Sequence, residues 1–423
     1  MRFKSLKGVH DILPSEIELW QHIEETSKKV FHSYGYKELR IPIIETTDIF
    51  IRSIGETTDI VEKEMYTFTD RGGRSITLRP EGTAPLVRAF IEHHLYNQSP
   101  PQKFYYSGPM FRYERPQAGR LRQFYQIGVE ALGTEDPKLD AEVLSMLKLL
   151  LHRLDLKGLS FEINSIGCIV CRPDYRTSLK GFLKNKLHLF CGDCQRRYEI
   201  NPMRVLDCKV HSCIHARGGV PRITEYLCDD CREHFESVKK YLNTMHIPYS
   251  INPDMVRGLD YYTKTTFEVT ASSLGAQKAV AAGGRYDRLV EDFGGPSTPG
   301  IGFALGMERI VSLIKDGLRK LEPSPLFIAS HGKEASEVAL TLAEELRNKG
   351  LVVEISYEDA SLRSQLRKAD KIGARHVLIL GEEELKAEKI ILRDMETKEQ
   401  KEIPISVIPT LVPALSGIGS GNP

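Results

Sequence analysis

All eight cysteines of this 423-residue chain fall between Cys168 and Cys231. No other feature constrains the fold as strongly. Thiols confined to one short stretch, together with many Lys and Arg, mark 164–252 as an insertion between two parts of a larger domain. The cysteines are spaced as Cys168-Ile-Val-Cys171, Cys191-Gly-Asp-Cys194, Cys208 with Cys213, and Cys228-Asp-Asp-Cys231. Two thiolates at C-x2-C spacing can meet one tetrahedral ion, so the pattern is of the zinc type. Reduced structural thiols are the alternative, and His211, His215 or His234 could replace a cysteine ligand. A closed four-ligand site would be structural, with no position left for chemistry.

Around the insertion the chain reads as an ordinary globular protein, 41% hydrophobic and 27% charged. A net charge of +1 gives no global sign of a polyanion partner, so any RNA contact must come from local patches. No apolar run is long enough to span a bilayer, and the N-terminus lacks the apolar core of a signal peptide. The expectation is a cytoplasmic protein.

Periodicity predicts a helix from Ser15 to Tyr34, with a Ser15/Glu18 capping box and Gly35 as its stop, then an apolar strand through Ile41-Pro42-Ile43-Ile44. A hairpin is expected from Tyr66 to Leu78, turning at Arg71-Gly72-Gly73-Arg74. It feeds Arg79-Pro80-Glu81-Gly82-Thr83 and a helix from Ala84, where Glu81 is either a helix cap or a carboxylate for an ammonium group. Two strands, Lys103 to Glu114 and Arg122 to Leu132, are joined by a basic loop. With a period of two, Gln126, Gly128 and Glu130 share one face opposite Ile127 and Val129, which suits a ligand floor better than a core. Val256-Arg257-Gly258-Leu259-Asp260-Tyr261-Tyr262 stands at the mouth of a strand through Phe267 and Val269. Gly283-Gly284 would allow close approach of a ligand or form a tight turn. Gly300 to Ile310 runs from a glycine-rich strand into a helix with Arg309 in its first turn, a position that an anion would stabilise. After the stiff break Glu322-Pro323-Ser324-Pro325, strands and helices alternate as in a small α/β domain. Its second helix carries Arg363, Arg367, Lys368, Lys371 and, at its end, Arg375.

Arg257 to Tyr262 resembles a signature of histidyl-tRNA synthetases, a family of class II aminoacyl-tRNA synthetases. LRPEGTA is similar to the family's amino-acid loop, and the segments around Pro42, Arg112 and Arg309 resemble class II motifs 1, 2 and 3. The resemblance covers nearly the whole chain and implies an α+β architecture. An antiparallel-sheet catalytic domain (1–163 and 253–322) is interrupted by the insertion. An α/β anticodon-binding domain (323–412) and a disordered tail (413–423) follow. It implies histidine–tRNA ligase activity: ATP with Mg2+ activates L-histidine to histidyl-adenylate, and the amino acid passes to the 3′ end of tRNA(His) in a homodimer. By the same resemblance Arg257 and Arg112 are catalytic. Glu81, Gly82, Thr83, Arg112, Gln126, Glu130, Arg257, Tyr261 and Tyr262 bind histidine, and Arg112, Glu114, Arg120 and Arg309 bind ATP. The eight cysteines are candidate zinc ligands, although zinc is not general in the family. Three rivals stand beside this reading: a catalytically silent regulatory paralogue, a class II synthetase for another amino acid, and a zinc-dependent RNA-binding module.

Overall fold

The computed structural model describes residues 3–56, 58–116, 119–256, 258–274, 278–314, 325–358 and 360–410. Arg257, Gly275, 322–324 and 413–423 lie outside the described residues. The chain divides into two units, Met1–Leu318 and Arg319–Pro423.

The first unit contains strands β1 (Lys37–Glu38), β2 (Ile44–Thr46), β3 (Tyr66–Thr69), β4 (Ser75–Leu78), β5 (Gln102–Phe111), β6 (Gln123–Leu132), β7 (Leu159–Ser165), β8 (Ser250–Ile251), β9 (Thr263–Ala271), β10 (Ala279–Arg285) and β11 (Gly300–Gly306). Eight of them form one sheet in the order β1-β5-β6-β11-β10-β9-β7-β8. Its interior pairs are antiparallel and only the outermost pairs, β1/β5 and β7/β8, are parallel. β2, β4 and β3 make a small antiparallel sheet. The helices are α1 (Pro14–Ser33), α2 (Thr47–Ile54), α3 (Thr83–Glu92), α4 (Pro137–Arg153), α5 (Arg172–Lys184), α6 (Gly192–Ile200), α7 (His211–Ala216), α8 (Asp229–Thr244), α9 (Leu289–Asp292) and α10 (Met307–Ile314).

Alternation along the strands decides where the core sits. Ile127 and Val129 of β6, Phe267 and Val269 of β9 and Phe303 of β11 point to one face of the sheet. There they pack with Trp20, Ile23 and Phe31 of α1, Leu144 and Leu147 of α4, Phe235 and Val238 of α8, and Ile310 of α10. Helix α8 lies within 164–252 yet shares this core. On the opposite face Phe104, Tyr106 and Leu132 pack with Leu86, Val87 and Phe90 of α3 and with residues of the insertion, and the cleft opens beside them.

Three local expectations fail for physical reasons. α1 starts one residue early, at Pro14 with Leu13 before it, and makes no side-chain cap, so Ser15 sits inside the helix and the capping box does not form. Ile41, Pro42 and Ile43 are not a strand, because Pro42 has no N–H to give to a ladder. The buried guanidinium of Arg79 instead donates to the carbonyls of Ile41 at 2.6 Å and Pro42 at 3.2 Å. The strand expected up to Glu114 ends at Phe111, which leaves Arg112 and Glu114 in the loop beyond it.

The second unit holds β12 (Leu326–Ser330), α11 (Lys333–Asn348), β13 (Val353–Ile355), α12 (Leu362–Lys371), β14 (His376–Leu380), α13 (Glu382–Lys386), β15 (Lys389–Asp394) and β16 (Gln400–Pro404). The sheet runs β13-β12-β14-β15-β16, with its first three strands parallel and its last two antiparallel. Ala335, Ala339, Leu342 and Leu346 of α11 cover one face of it. The cationic residues of α12 and Arg375 are exposed. No described helix is long and apolar enough to cross a membrane.

Candidate active site

On that opposite face the central strands floor a cleft of about 280 Å³. Gln126 and Glu130 project into it from β6, as the period-two reading predicts. Glycines make the room. A Cβ on Gly128 would meet the Tyr106 ring at 2.3 Å, and one on Gly302 would lie 1.8 Å from Oε2 of Glu130. Tyr106 of β5 is paired directly with Gly128, so its ring lies over the residue that has no side chain. Gly82 is bare for the same reason, its Cβ position being 2.3 Å from that ring.

At the inner end of the cleft Glu130 is 1% exposed. It accepts from the Thr83 hydroxyl at 2.6 Å and from the Tyr286 hydroxyl. Burial, with Glu81 close by, outweighs these bonds and pushes its carboxyl up to about 8. Glu81 is also raised by burial, against the backbone N–H groups of Ala84 and Thr83 and the charge of Arg112. Its carboxylate accepts from Thr83 N at 2.6 Å and Ala84 N at 2.9 Å, so it does cap α3 while also lining the cleft. Tyr261 and Tyr262 form a wall, with ring centroids 4.7 Å apart, and Tyr286 meets Tyr261 edge-on. Oε1 of Gln126 is buried with no partner among the described residues. This end therefore offers carboxyls, hydroxyls and an amide in an apolar frame: an arrangement for reading a small polar ring with N–H groups.

At the outer end the charge changes sign. Arg112, Arg120 and Arg309 line the same cleft with Glu114. Arg112 donates through Nε to Pro80 O at 2.9 Å and stacks over Phe124 at 5.3 Å. Arg120 pairs with Glu114 at 3.1 Å. Arg309, in the first turn of α10, donates to the carbonyls of Ala279 and of Gly119. Burial and the neighbouring Arg120 charge lower its pKa, against the opposing charges of Glu114 and Glu268.

Several residues of the cleft carry no signal that sequence reading picked up. Tyr106 and Tyr286 look like core aromatics until the strand register sets them over Gly128 and against Glu130. Glu308, raised to about 7 by burial, accepts from Tyr125 N at 2.8 Å and ties α10 to β6. Gly283 and Gly284 do not form a tight turn. They lie within β10, where a Cβ on Gly283 would be 2.2 Å from Gly302 O and one on Gly284 2.6 Å from Thr265 O.

The cysteines gather into two groups, Cys168/Cys171/Cys228/Cys231 and Cys191/Cys194/Cys208/Cys213, each with all its sulfurs within 4.8 Å of one another. His211, His215 and His234 belong to neither group. His234 instead meets the buried Asp140 at 3.0 Å.

A carboxyl-and-tyrosine pocket thus stands beside an arginine cluster on a glycine-bared antiparallel sheet. Residues 8–170 and 217–310 match the family model for histidyl-tRNA synthetase, and 326–415 match that of an anticodon binding domain. The chain is 52% identical over 413 residues to the histidine–tRNA ligase of Thermodesulfovibrio yellowstonii, covering 97% of this chain and 98% of that one. It is 53% identical over 401 residues to the histidine–tRNA ligase of Geobacter sulfurreducens, covering 95% and 97%. Its structure is similar to that of apo S. aureus histidyl-tRNA synthetase, with a TM-score of 0.82 and 39% identity over 98% of this chain and 100% of that one. The chain belongs to the histidyl-tRNA synthetase family and is an aminoacyl-tRNA synthetase of class II. These matches set aside the rival readings.

Proposed function

We propose that the cleft binds L-histidine at its inner end and ATP with Mg2+ at its outer end. The histidine carboxylate attacks the α-phosphorus, the α–β anhydride bond breaks, and pyrophosphate leaves. The adenylate then acylates the 3′ end of tRNA(His) with release of AMP. The carrying observation is the meeting, in one cleft, of the Gln126/Glu130 face and the Arg112/Arg309 cluster. Glu130, buried and short of a positive partner, suits an imidazole N–H, and Tyr261 and Tyr262 wall that ring. Glu81, Gly82 and Thr83 suit the α-ammonium. Arg112 and, by the family resemblance of the RGLDYY loop, Arg257 neutralise charge at the α-phosphate. Arg309 takes the γ-phosphate, and Glu114 and Arg120 complete the nucleotide end. Mg2+ would enter with ATP as part of the substrate and offset the phosphate charge.

The same reading assigns 1–163 and 253–322 to a catalytic domain, 164–252 to its insertion and 323–412 to an anticodon-binding domain for tRNA(His), in a cytoplasmic enzyme. It makes the enzyme a homodimer, supported by the exposed apolar Ile43 and Ile44 at the motif 1 segment and by the prevalence of two-fold assemblies. It also includes structural zinc on the insertion's cysteines. Amino-acid-dependent ATP–pyrophosphate exchange across all twenty amino acids tests the central step. Exchange with histidine alone is expected, and exchange driven by another amino acid in its place would overturn the assignment.

A further inference from the structure

The insertion's two cysteine groups are built alike. Sulfur separations of 3.6 and 3.8 Å in the first and 3.9 Å in the second are far beyond a disulfide bond of about 2.05 Å. They match the edge of a tetrahedron with metal–sulfur bonds of about 2.3 Å, which is about 3.8 Å. Backbone N–H groups already point at the sulfurs: Val170 N to Cys168 at 3.3 Å, Cys228 N to Cys171 at 3.1 Å, and Cys191 N to Cys213 at 3.2 Å. Such donors stabilise metal-bound thiolate, as the outer partners of a metal site do. Gly167, at φ +62°, turns the chain beside the first group, and a Cβ there would be 2.8 Å from that of Cys171. The family match breaks between 170 and 217, across the segment that holds the whole second group.

Both groups frame residues that touch the RGLDYY loop. Arg172, next to Cys171, donates to Ile166 O at 3.3 Å and to the carbonyl of Tyr262. Between Cys194 and Cys208, Asn201 donates to Asp260 at 3.3 Å, and Arg204 pairs with Asp260 at 3.4 Å and donates to Gly258 O at 2.5 Å. From the same stretch Arg197 bonds Asp59 at 2.5 Å, and Arg196 meets Glu62 at 3.0 Å. The segment packs Leu179, Leu183, Val205 and Leu206 in a buried cluster, and a tetrathiolate ion would add four fixed points of the chain at once beside the arginines.

We propose that each cysteine tetrad holds one zinc ion, and that the two ions brace the Gly258–Tyr262 loop from outside, through Arg172 at the first site and Arg204 at the second. This rests on the assignment of that loop to the histidine pocket. Arg172 and Arg204 are then positioning residues, and histidine affinity depends on metals that never touch the substrate.

The test begins with elemental analysis of the full chain purified without chelator, where two zinc ions per chain are expected. The double variants Cys168→Ser/Cys228→Ser and Cys191→Ser/Cys208→Ser should each retain one. Histidine binding, measured by calorimetry, should weaken at least about tenfold in either, because a shift near 1 Å in a pocket residue is enough for that. Should the cysteine variants fail to fold, Arg204→Ala and Arg172→Ala carry the test: both should keep two ions and still bind histidine more weakly. Active protein with essentially no metal would overturn the zinc sites. Two ions with wild-type histidine affinity in the arginine variants would overturn the bracing. A zinc-loaded wild type that shows no exchange with histidine would instead sink the pocket assignment, and the metal count would still decide whether the tetrads hold ions.

Discussion

The two ends of the cleft stand on the same sheet face but recognise by opposite means. The inner end is buried, sparing in charge and rich in hydroxyls, and its carboxyls are pushed upward by burial. The outer end gathers three arginines with Glu114 and Glu308. The difference teaches how selection and rate can be separated in one cavity. A site made of buried polar groups rejects look-alikes by leaving those groups unpaired. A site made of fixed cations lowers the barrier where negative charge grows.

Four experiments would break or sharpen this contrast. The largest effect is expected at Arg257, which we assign to the rate-setting end. Arg257→Ala should slow adenylation by about 10²–10³, the usual cost of one well-placed stabilising donor, while histidine affinity changes far less. Arg257→Lys should not restore it, since an ammonium lacks the planar fork. Single-turnover kinetics of the two half-reactions would show this, with transfer from pre-formed adenylate the less affected. Near wild-type adenylation in Arg257→Ala would end the assignment.

Next come two glycines of β11 that line the cleft, Gly302 and Gly306. Gly302→Ala puts a methyl 1.8 Å from Glu130 Oε2 and 2.3 Å from Val129 O, so Glu130 or the strand must move. Overpacking of this kind costs about 1–3 kcal/mol, and histidine binding should fall by about tenfold or more. Gly306→Ala, with nothing within 4 Å of the new methyl, should melt and bind histidine like the wild type. Equal behaviour of the two variants in thermal melts and calorimetry would contradict the account of the floor.

A smaller effect concerns pH. Glu130 is held at about 8 when folded, against an ordinary value of 4.5. The folded chain therefore keeps a proton that the unfolded chain releases between those values. The stability this group contributes is whole below the lower value and is lost as pH rises through the upper one. Glu130→Gln should remove that part of the decline, so the melting temperature of the variant should fall less steeply from pH 5 to 8 than that of the wild type. Parallel curves would show that Glu130 is ionised throughout.

The smallest effect is expected in the second unit. Arg367→Ala combined with Lys371→Ala on the exposed face of α12 should raise KM for tRNA a few-fold and reduce the salt dependence of binding by a slope of about 1–2. ATP–pyrophosphate exchange should not change. Loss of exchange in that variant would mean that these residues act on the fold rather than on RNA.

How much of this was legible beforehand depended on whether a feature was local. Helix α1, the β3–β4 hairpin, the β11–α10 junction and the alternation along β6 follow from periodicity and turn residues, and the structure has each of them. The cysteine spacings pointed to metal-type pairs without saying which pairs meet. Local rules misled where a single partner elsewhere changed the outcome. Arg79 takes the carbonyls that would have belonged to a strand at Ile41 and Pro42, and Asp140 takes His234 away from the cysteines.

By itself, then, the sequence determined the order of elements, the inward face of β6 and the chemical character of each loop, because those depend on the dihedral preferences and polarity of neighbours. Only the tertiary structure decided that Tyr106 lies over Gly128, that Glu130 fits against a bare Gly302, and that Cys168 and Cys171 close with Cys228 and Cys231. Register across a sheet and the closure of long loops are set by packing between residues far apart in the chain, and no local propensity encodes them.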